Sequence, residues 1–130
     1  MKRIFVSTLL ASMTMICSDA VADTYVWNGL GISGRSGTSL NTPGNWLVGT
    51  SAATATVTAS VAPGSSDDVI INTSGYDPGA SVATIRVTDN LTVKSLTSTI
   101  GFGGSGQKRL YLEINNGFTL NVVNDLTMSC

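Results

Sequence analysis

Histidine is absent from the 130 residues, and that absence removes several chemistries at once. Neither a Ser-His-Asp nor a Cys-His nucleophile can be assembled, and a zinc site built on imidazole is excluded. The groups left that could do chemistry are the adjacent carboxylates Asp67 and Asp68, the bases Arg86, Lys94, Lys108 and Arg109, and the glycine-rich run GFGGSG beginning at Gly101. Asp67 and Asp68 invite a calcium reading, because Ca²⁺ gathers about six to eight oxygen ligands. Neither EF-hand spacing nor a glycine-aspartate nonapeptide repeat surrounds them. As sequence neighbours in an extended chain they point to opposite faces, which does not suit the facing acids of glycoside hydrolysis. At a turn, Asp more often bonds backbone N–H groups close by. A polysaccharide-lyase site would draw its proton acceptor from Arg86, Lys94, Lys108 or Arg109, and none of these stands in a recognisable motif. GFGGSG has no Gly-Lys-Ser/Thr ending and no helix after it, so a phosphate cradle is not supported. No catalytic residue, no metal ligand and no cofactor is assigned.

Trp27 and Trp46, nineteen positions apart with glycine-rich sequence between them, admit two readings. Aromatic faces stack on the apolar faces of hexoses, which would make the pair a carbohydrate platform. Alternatively both indoles seal the end of a small core, where large aromatics contribute most. The structural role is the preferred one.

Composition narrows the partners. Residues 1–22 aside, five basic residues stand against seven acidic ones, and the bases are scattered. Nucleic acid binding needs a clustered positive face, so it is not expected. Ser and Thr make up 33 of the 130 residues and Gly another 14, which favours strands and turns over helix.

The elements that must position these residues begin after a leader. Met1-Lys2-Arg3, a largely apolar stretch from Ile4 to Cys17 and the small residues Ala20-Val21-Ala22 read as a secretory signal peptide with cleavage before Asp23. The apolar run is short and broken by Ser7, Thr8, Ser12 and Thr14, so it does not read as a membrane-spanning anchor. Ile16 before Cys17 fits a lipoprotein signal poorly. Cleavage leaves Cys130 as the sole thiol, and no internal disulfide is expected.

Downstream, Tyr25 to Trp27 and Asn45 to Val48 form apolar islands on either side of a long Gly/Ser loop. Residues 52–62 alternate small apolar side chains (Ala53, Ala55, Val57, Ala59, Val61) with Thr and Ser, a peripheral strand or a loop leaning on the core. Pro63-Gly64 breaks the chain, and Val69 to Asn72 follows as a strand. Thr73 to Ala80 is turn-rich. Ser81 to Val87 and Leu91 to Leu96 are strands joined at Asp89-Asn90.

The pattern is clearest from Lys108 to Ser129. Leu110 and Leu112, Phe118 and Leu120, and Leu126 and Met128 recur at a step of eight residues, with turn formers Asn115-Asn116-Gly117 and Asn124-Asp125 between them. Three such sides would make a coil of roughly 24 residues, within the range of solenoid repeats. The same spacing in a meander would place hairpins at Asn-Gly and Asn-Asp.

The order Trp-Asn-Gly, Gly-Asn-Trp, APGSSDDVII, NLTVKSL and GFTLNVVNDLTM resembles the amino-terminal passenger region of bacterial autotransporter-type surface proteins. That resemblance covers most of residues 24–128. It implies an all-β fold, a right-handed parallel β-helix with an N-terminal cap, against the alternative of an antiparallel β-sandwich or meander. Residues 1–22 are then the signal peptide, 23–66 the cap and its loops, and 67–130 the coils. The implied function is a secreted, surface-exposed structural or adhesive module, non-enzymatic, meeting host or cell-surface glycans or proteins. A carbohydrate-binding or polysaccharide-processing β-helix is the alternative. Such proteins are longer and end in an outer-membrane anchor, so the chain is expected to be a fragment of one.

The leader reading predicts that export from a bacterial host yields a chain beginning at Asp23. Intact-mass measurement checks it, and recovery of a chain that still starts at Met1 would overturn it.

Overall fold

The computed structural model describes residues 22–29, 37–72, 82–99 and 109–129. Residues 1–21 of the expected leader, the 73–80 connection, GFGGSG and Cys130 lie outside the described residues. The chain is all-β, with eight strands among the described residues: β1 Thr24–Trp27, β2 Trp46–Gly49, β3 Val57–Thr58, β4 Asp68–Asn72, β5 Val82–Val87, β6 Leu91–Thr99, β7 Arg109–Ile114 and β8 Leu120–Ser129.

The strands form two sheets. One has the order β3-β2-β1-β4-β6-β8 and the other pairs β5 with β7. The first three strands are antiparallel neighbours, with Trp27 opposite Trp46 and Leu47 opposite Thr58. From β1 onward the larger sheet grows by parallel addition: β4 on β1, β6 on β4 and β8 on β6. β7 likewise lies parallel to β5. Residues 38–40 extend that second sheet, since Arg86 N–H donates to the Thr38 carbonyl (2.7 Å), and Leu40 N–H to the Arg86 carbonyl (2.8 Å). The sheet is therefore mixed, antiparallel at its start and parallel through β4, β6 and β8.

These registers line up buried side chains in rows. Tyr25 stands beside Val69, Val69 beside Leu96, and Leu96 beside Leu126. A second row runs through Ile71, Ser98 and Met128, and shorter ones join Leu91 to Leu120 and Val93 to Val122. In the smaller sheet Ile85 adjoins Leu112, and Val87 adjoins Ile114. Every earlier member of these rows is buried, and Trp27, Trp46 and Leu40 close the same core. Burying one such aliphatic side chain contributes about 1.5–3 kcal/mol.

Several expectations change. The eight-residue step does not mark three equal sides, because residues 109–129 form two strands in different sheets. Asn124-Asp125 lies inside β8, with Asp125 beside Ser95, because pairing along β6 outweighs the weak strand preference of Asn and Asp. Phe118 lies ahead of β8 and is exposed. Asn115-Asn116-Gly117 does turn: Gly117 takes a φ of 88°, and Phe118 N–H donates to the Asn115 carbonyl (3.1 Å). It joins β7 to β8 across the two sheets and makes no hairpin, so the meander is not formed there. Partner spacings such as Asp68 to Ser95 and Leu91 to Leu120 correspond to a repeat of about 27–30 residues, longer than the expected coil. In residues 52–62 only Val57–Thr58 is strand. Ala55 and Ala59 are buried, whereas Val57 and Val61, expected on their side, are exposed, because β3 is the sheet edge.

The core predicts a sharp response at Trp46. Trp46→Ala should lose about 3–5 kcal/mol in urea unfolding. Trp46→Phe should lose about 1–3 kcal/mol through the unpaired Leu40 carbonyl. A Trp46→Ala loss no larger than that of Thr92→Ala, a change on an exposed side chain, would contradict the assignment.

Candidate interaction surface

The two tryptophans come together, as a pair within the core. Their ring centroids are 5.0 Å apart at an interplanar angle of 80°, and Tyr25 meets Trp46 edge-on at 6.3 Å. Trp27 is 1% and Trp46 0% exposed, so neither indole offers a face to a sugar ring. The reason is local. Asn45 donates its side-chain amide to the Ser39 carbonyl (2.8 Å), its own carbonyl accepts from Asn28 N–H (2.8 Å), and the Trp46 indole N–H donates to the Leu40 carbonyl (2.8 Å). The Gly-Asn-Trp motif thus ties Ser39 and Leu40 to the core that holds both rings. A Cβ at Gly37 would collide with the Asn45 amide, which explains the glycine there.

Asp67 and Asp68 do diverge. Asp67 Oδ2 accepts from Gly64 N–H (2.8 Å), and Oδ1 from Asp23 N–H (3.2 Å), which fastens the Pro63-Gly64 turn to the start of β1. Asp68 Oδ1 accepts from the Ser95 hydroxyl (2.6 Å), and Oδ2 from Lys94 Nζ (2.9 Å). All four carboxylate oxygens are therefore engaged by protein donors, and among the described residues no group of three or more acidic, Cys or His side chains could hold a metal ion. Lys94 stands in an ion pair with Asp68, and Arg86 in one with Glu113 (3.1 Å). The side chains of Lys108 and Arg109 lie outside the described residues. Among the described residues, the bases singled out from the sequence therefore meet acids as two ion pairs, Lys94 with Asp68 and Arg86 with Glu113.

Two titrations follow from these contacts. The Ser95 hydrogen bond, then the one from Lys94, holds the Asp68 carboxyl below its ordinary value, against the opposing effect of burial. Burial, reinforced by the charges of Asp67 and Asp23, pushes the Tyr25 phenol up.

What remains available for contact is a polar outer face and an apolar edge. The outer face of β6 and β8 carries Thr92 beside Asn121, Thr97 beside Thr127 and Thr99 beside Ser129. At the edge, two rows end uncovered, with Leu126 60% and Met128 61% exposed and Ile114 and Tyr111 exposed on β7, whereas Leu112, Leu120 and Val122 are partly buried against the core. Sequence reasoning assigned the aliphatic groups to an inner face but could not find the edge. It also missed the Asp68, Ser95 and Lys94 cluster, because strand partners far apart in sequence carry no local signal. Among the described residues, no helix is long and apolar enough to cross a membrane.

Comparison with protein families, with curated proteins and with solved structures finds no match to this chain.

The Asp68 contacts predict a pH dependence. A carboxyl whose folded value lies below its unfolded one stabilises fully above the unfolded value, about pH 3.9. That contribution is lost as pH falls through the folded value. Urea midpoints should therefore drop on acidification less steeply for Asp68→Asn than for the parent chain, and parallel curves would remove Asp68 from the account.

Proposed function

We propose that this chain is a secreted structural and adhesive module of a bacterial cell surface, built as the amino-terminal part of a right-handed parallel β-helix. The observation that carries the reading is the parallel addition of β4, β6 and β8 in one sheet and of β7 on β5 in the other, without hairpins between successive strands. Progressive stacking of this kind suits a rod that projects surface away from a cell. The antiparallel β1 to β3 unit, with its two buried tryptophans, then acts as the cap of the first coil. The signal-peptide pattern of residues 1–22 and the order of motifs that resembles autotransporter passengers support secretion and surface exposure.

In this reading the contact surface for host or sibling-cell glycans and proteins is the outer Thr, Ser and Asn rows of β6 and β8. Hydroxyls and amides at the regular strand spacing of about 4.8 Å present repeated donors and acceptors. No group acts as a nucleophile or general base, and the module is non-enzymatic. The alternative of a carbohydrate site on Trp27 and Trp46 draws no support from their placement inside the core.

Bacteria displaying the chain at their surface should adhere to cultured cells or matrix-coated plates more than bacteria without it. Replacing Thr97, Asn121 and Thr127 together with Glu should abolish the gain while leaving the far-ultraviolet circular dichroism unchanged. Equal adhesion with and without the displayed chain would refute the adhesive role.

A further inference from the structure

Asp23, the residue that follows the Ala-Val-Ala cleavage pattern, is held at both of its backbone groups. Its carbonyl accepts from Asp68 N–H (2.9 Å) where β1 and β4 begin to pair, and its N–H donates to Asp67 Oδ1 (3.2 Å). Asp67 is held in turn. Its Oδ2 accepts from Gly64 N–H (2.8 Å), and its carbonyl accepts from Lys94 N–H (3.0 Å). The nitrogen and the carboxylate thus face each other through contacts made downstream of the leader, and both residues are half-buried. Cleavage changes the charge at this contact. Water hydrolyses the Ala22–Asp23 amide, and its oxygen goes to the new carboxylate of Ala22. The Asp23 nitrogen becomes an amine, and below its ordinary value of about pH 7.7–8.0 it keeps the proton that this carboxyl gives up.

We propose that Asp67 is the receptor for the α-ammonium group released at Asp23, so that leader removal turns a neutral hydrogen bond into an ion pair between the starts of β1 and β4. The proposal rests on the reading of residues 1–22 as a leader and adds what its removal does to the fold. The new charge enters a negative neighbourhood. Asp67 and the side chain of Asp23 both carry charges that bear on the Tyr25 phenol, which burial foremost already keeps neutral, and nearby Asp68 is paired with Lys94 (2.9 Å). A hydrogen bond with ionised partners is about twice as strong as a neutral one. Half-buried, it is screened by salt less than a pair on the open surface. Its position gives it leverage, because the pairing of β1 with β4 sets the register that the later parallel strands inherit. The added stability is fully present below the unfolded value of the α-amine and is lost as pH rises through its raised folded value.

The test uses the full chain exported from a bacterial host, with the start of the product read by mass. On a product that starts at Asp23, labelling of the α-amine by an amine-reactive reagent should be about tenfold slower in the folded chain than in urea near pH 6.5. That ratio should close as pH rises above both values, whereas an amine that is merely shielded keeps one ratio at every pH. Asp67→Asn, which keeps the shape of the side chain without its charge, should remove most of the pH dependence of the ratio. Its urea midpoint should also fall less than that of the parent between neutral and alkaline pH. A product with any other first residue overturns the leader reading and this proposal together. A product starting at Asp23 whose labelling ratio is the same at every pH, or is unchanged by Asp67→Asn, overturns this proposal alone. Neither result depends on whether the displayed chain adheres to cells.

Discussion

Parallel register is the constraint on which the rest of this structure depends. Once β4 lies beside β1 with Tyr25 next to Val69, the inner side chains of every later strand are committed to the same rows. A slip of one residue would turn Leu96 and Val93 outward and bring Thr97 and Thr92 into the core. The cost of such a slip, several buried aliphatic side chains at once, is what holds the register. The tryptophan pair closes the first end of these rows. Its aromatic area compensates for the small side chain of Ala59 in the same core.

Polar groups at the corners complete this arrangement. Parallel strands need long connections, and each connection leaves backbone donors and acceptors that a small core cannot bury unpaired. Short polar side chains meet that need. The Asn41 side-chain oxygen accepts from the N–H groups of Thr88 and Asp89 (2.8 and 3.1 Å), and Asn90 Oδ1 accepts from Thr119 N–H (3.0 Å). Asp67 does the same for Gly64 and Asp23. The surface ion pair of Arg86 with Glu113 is half exposed and contributes little beside them. Stability therefore rests on ladders, stacked side chains and side-chain-to-backbone bonds at the turns.

These corner residues also explain why the motifs that look most like chemistry turn out to have structural partners. Asp67 and Asp68 sit at a bend where one carboxylate fastens the turn and the other bridges to the next strand. The Gly-Asn-Trp motif spends its amide, its carbonyl and its indole N–H on the loop and strand around it. Among the described residues, Leu126 and Met128 at the end of β8 and the side chains of Thr92 and Asn121 on the outer face stay exposed.

Much of this was legible in residue order. The strand content, apolar islands at Tyr25 to Trp27 and Asn45 to Val48 that overlap β1 and β2, the turns at Asp89-Asn90 and Asn115-Gly117, and the bonding of a turn Asp to backbone N–H groups follow from local alternation and turn chemistry. Those preferences act over a few residues, within reach of a sequence. Which strand lies beside which was not legible. Asn124-Asp125 reads as a turn until β6 pairs across it, and Leu126 and Met128 read as buried until β8 is seen as the last strand of its sheet. The partners of a parallel strand sit a whole circuit of the chain away, so only the folded molecule decides which aliphatic groups are covered, which carboxylate meets Lys94 and which edge stays open.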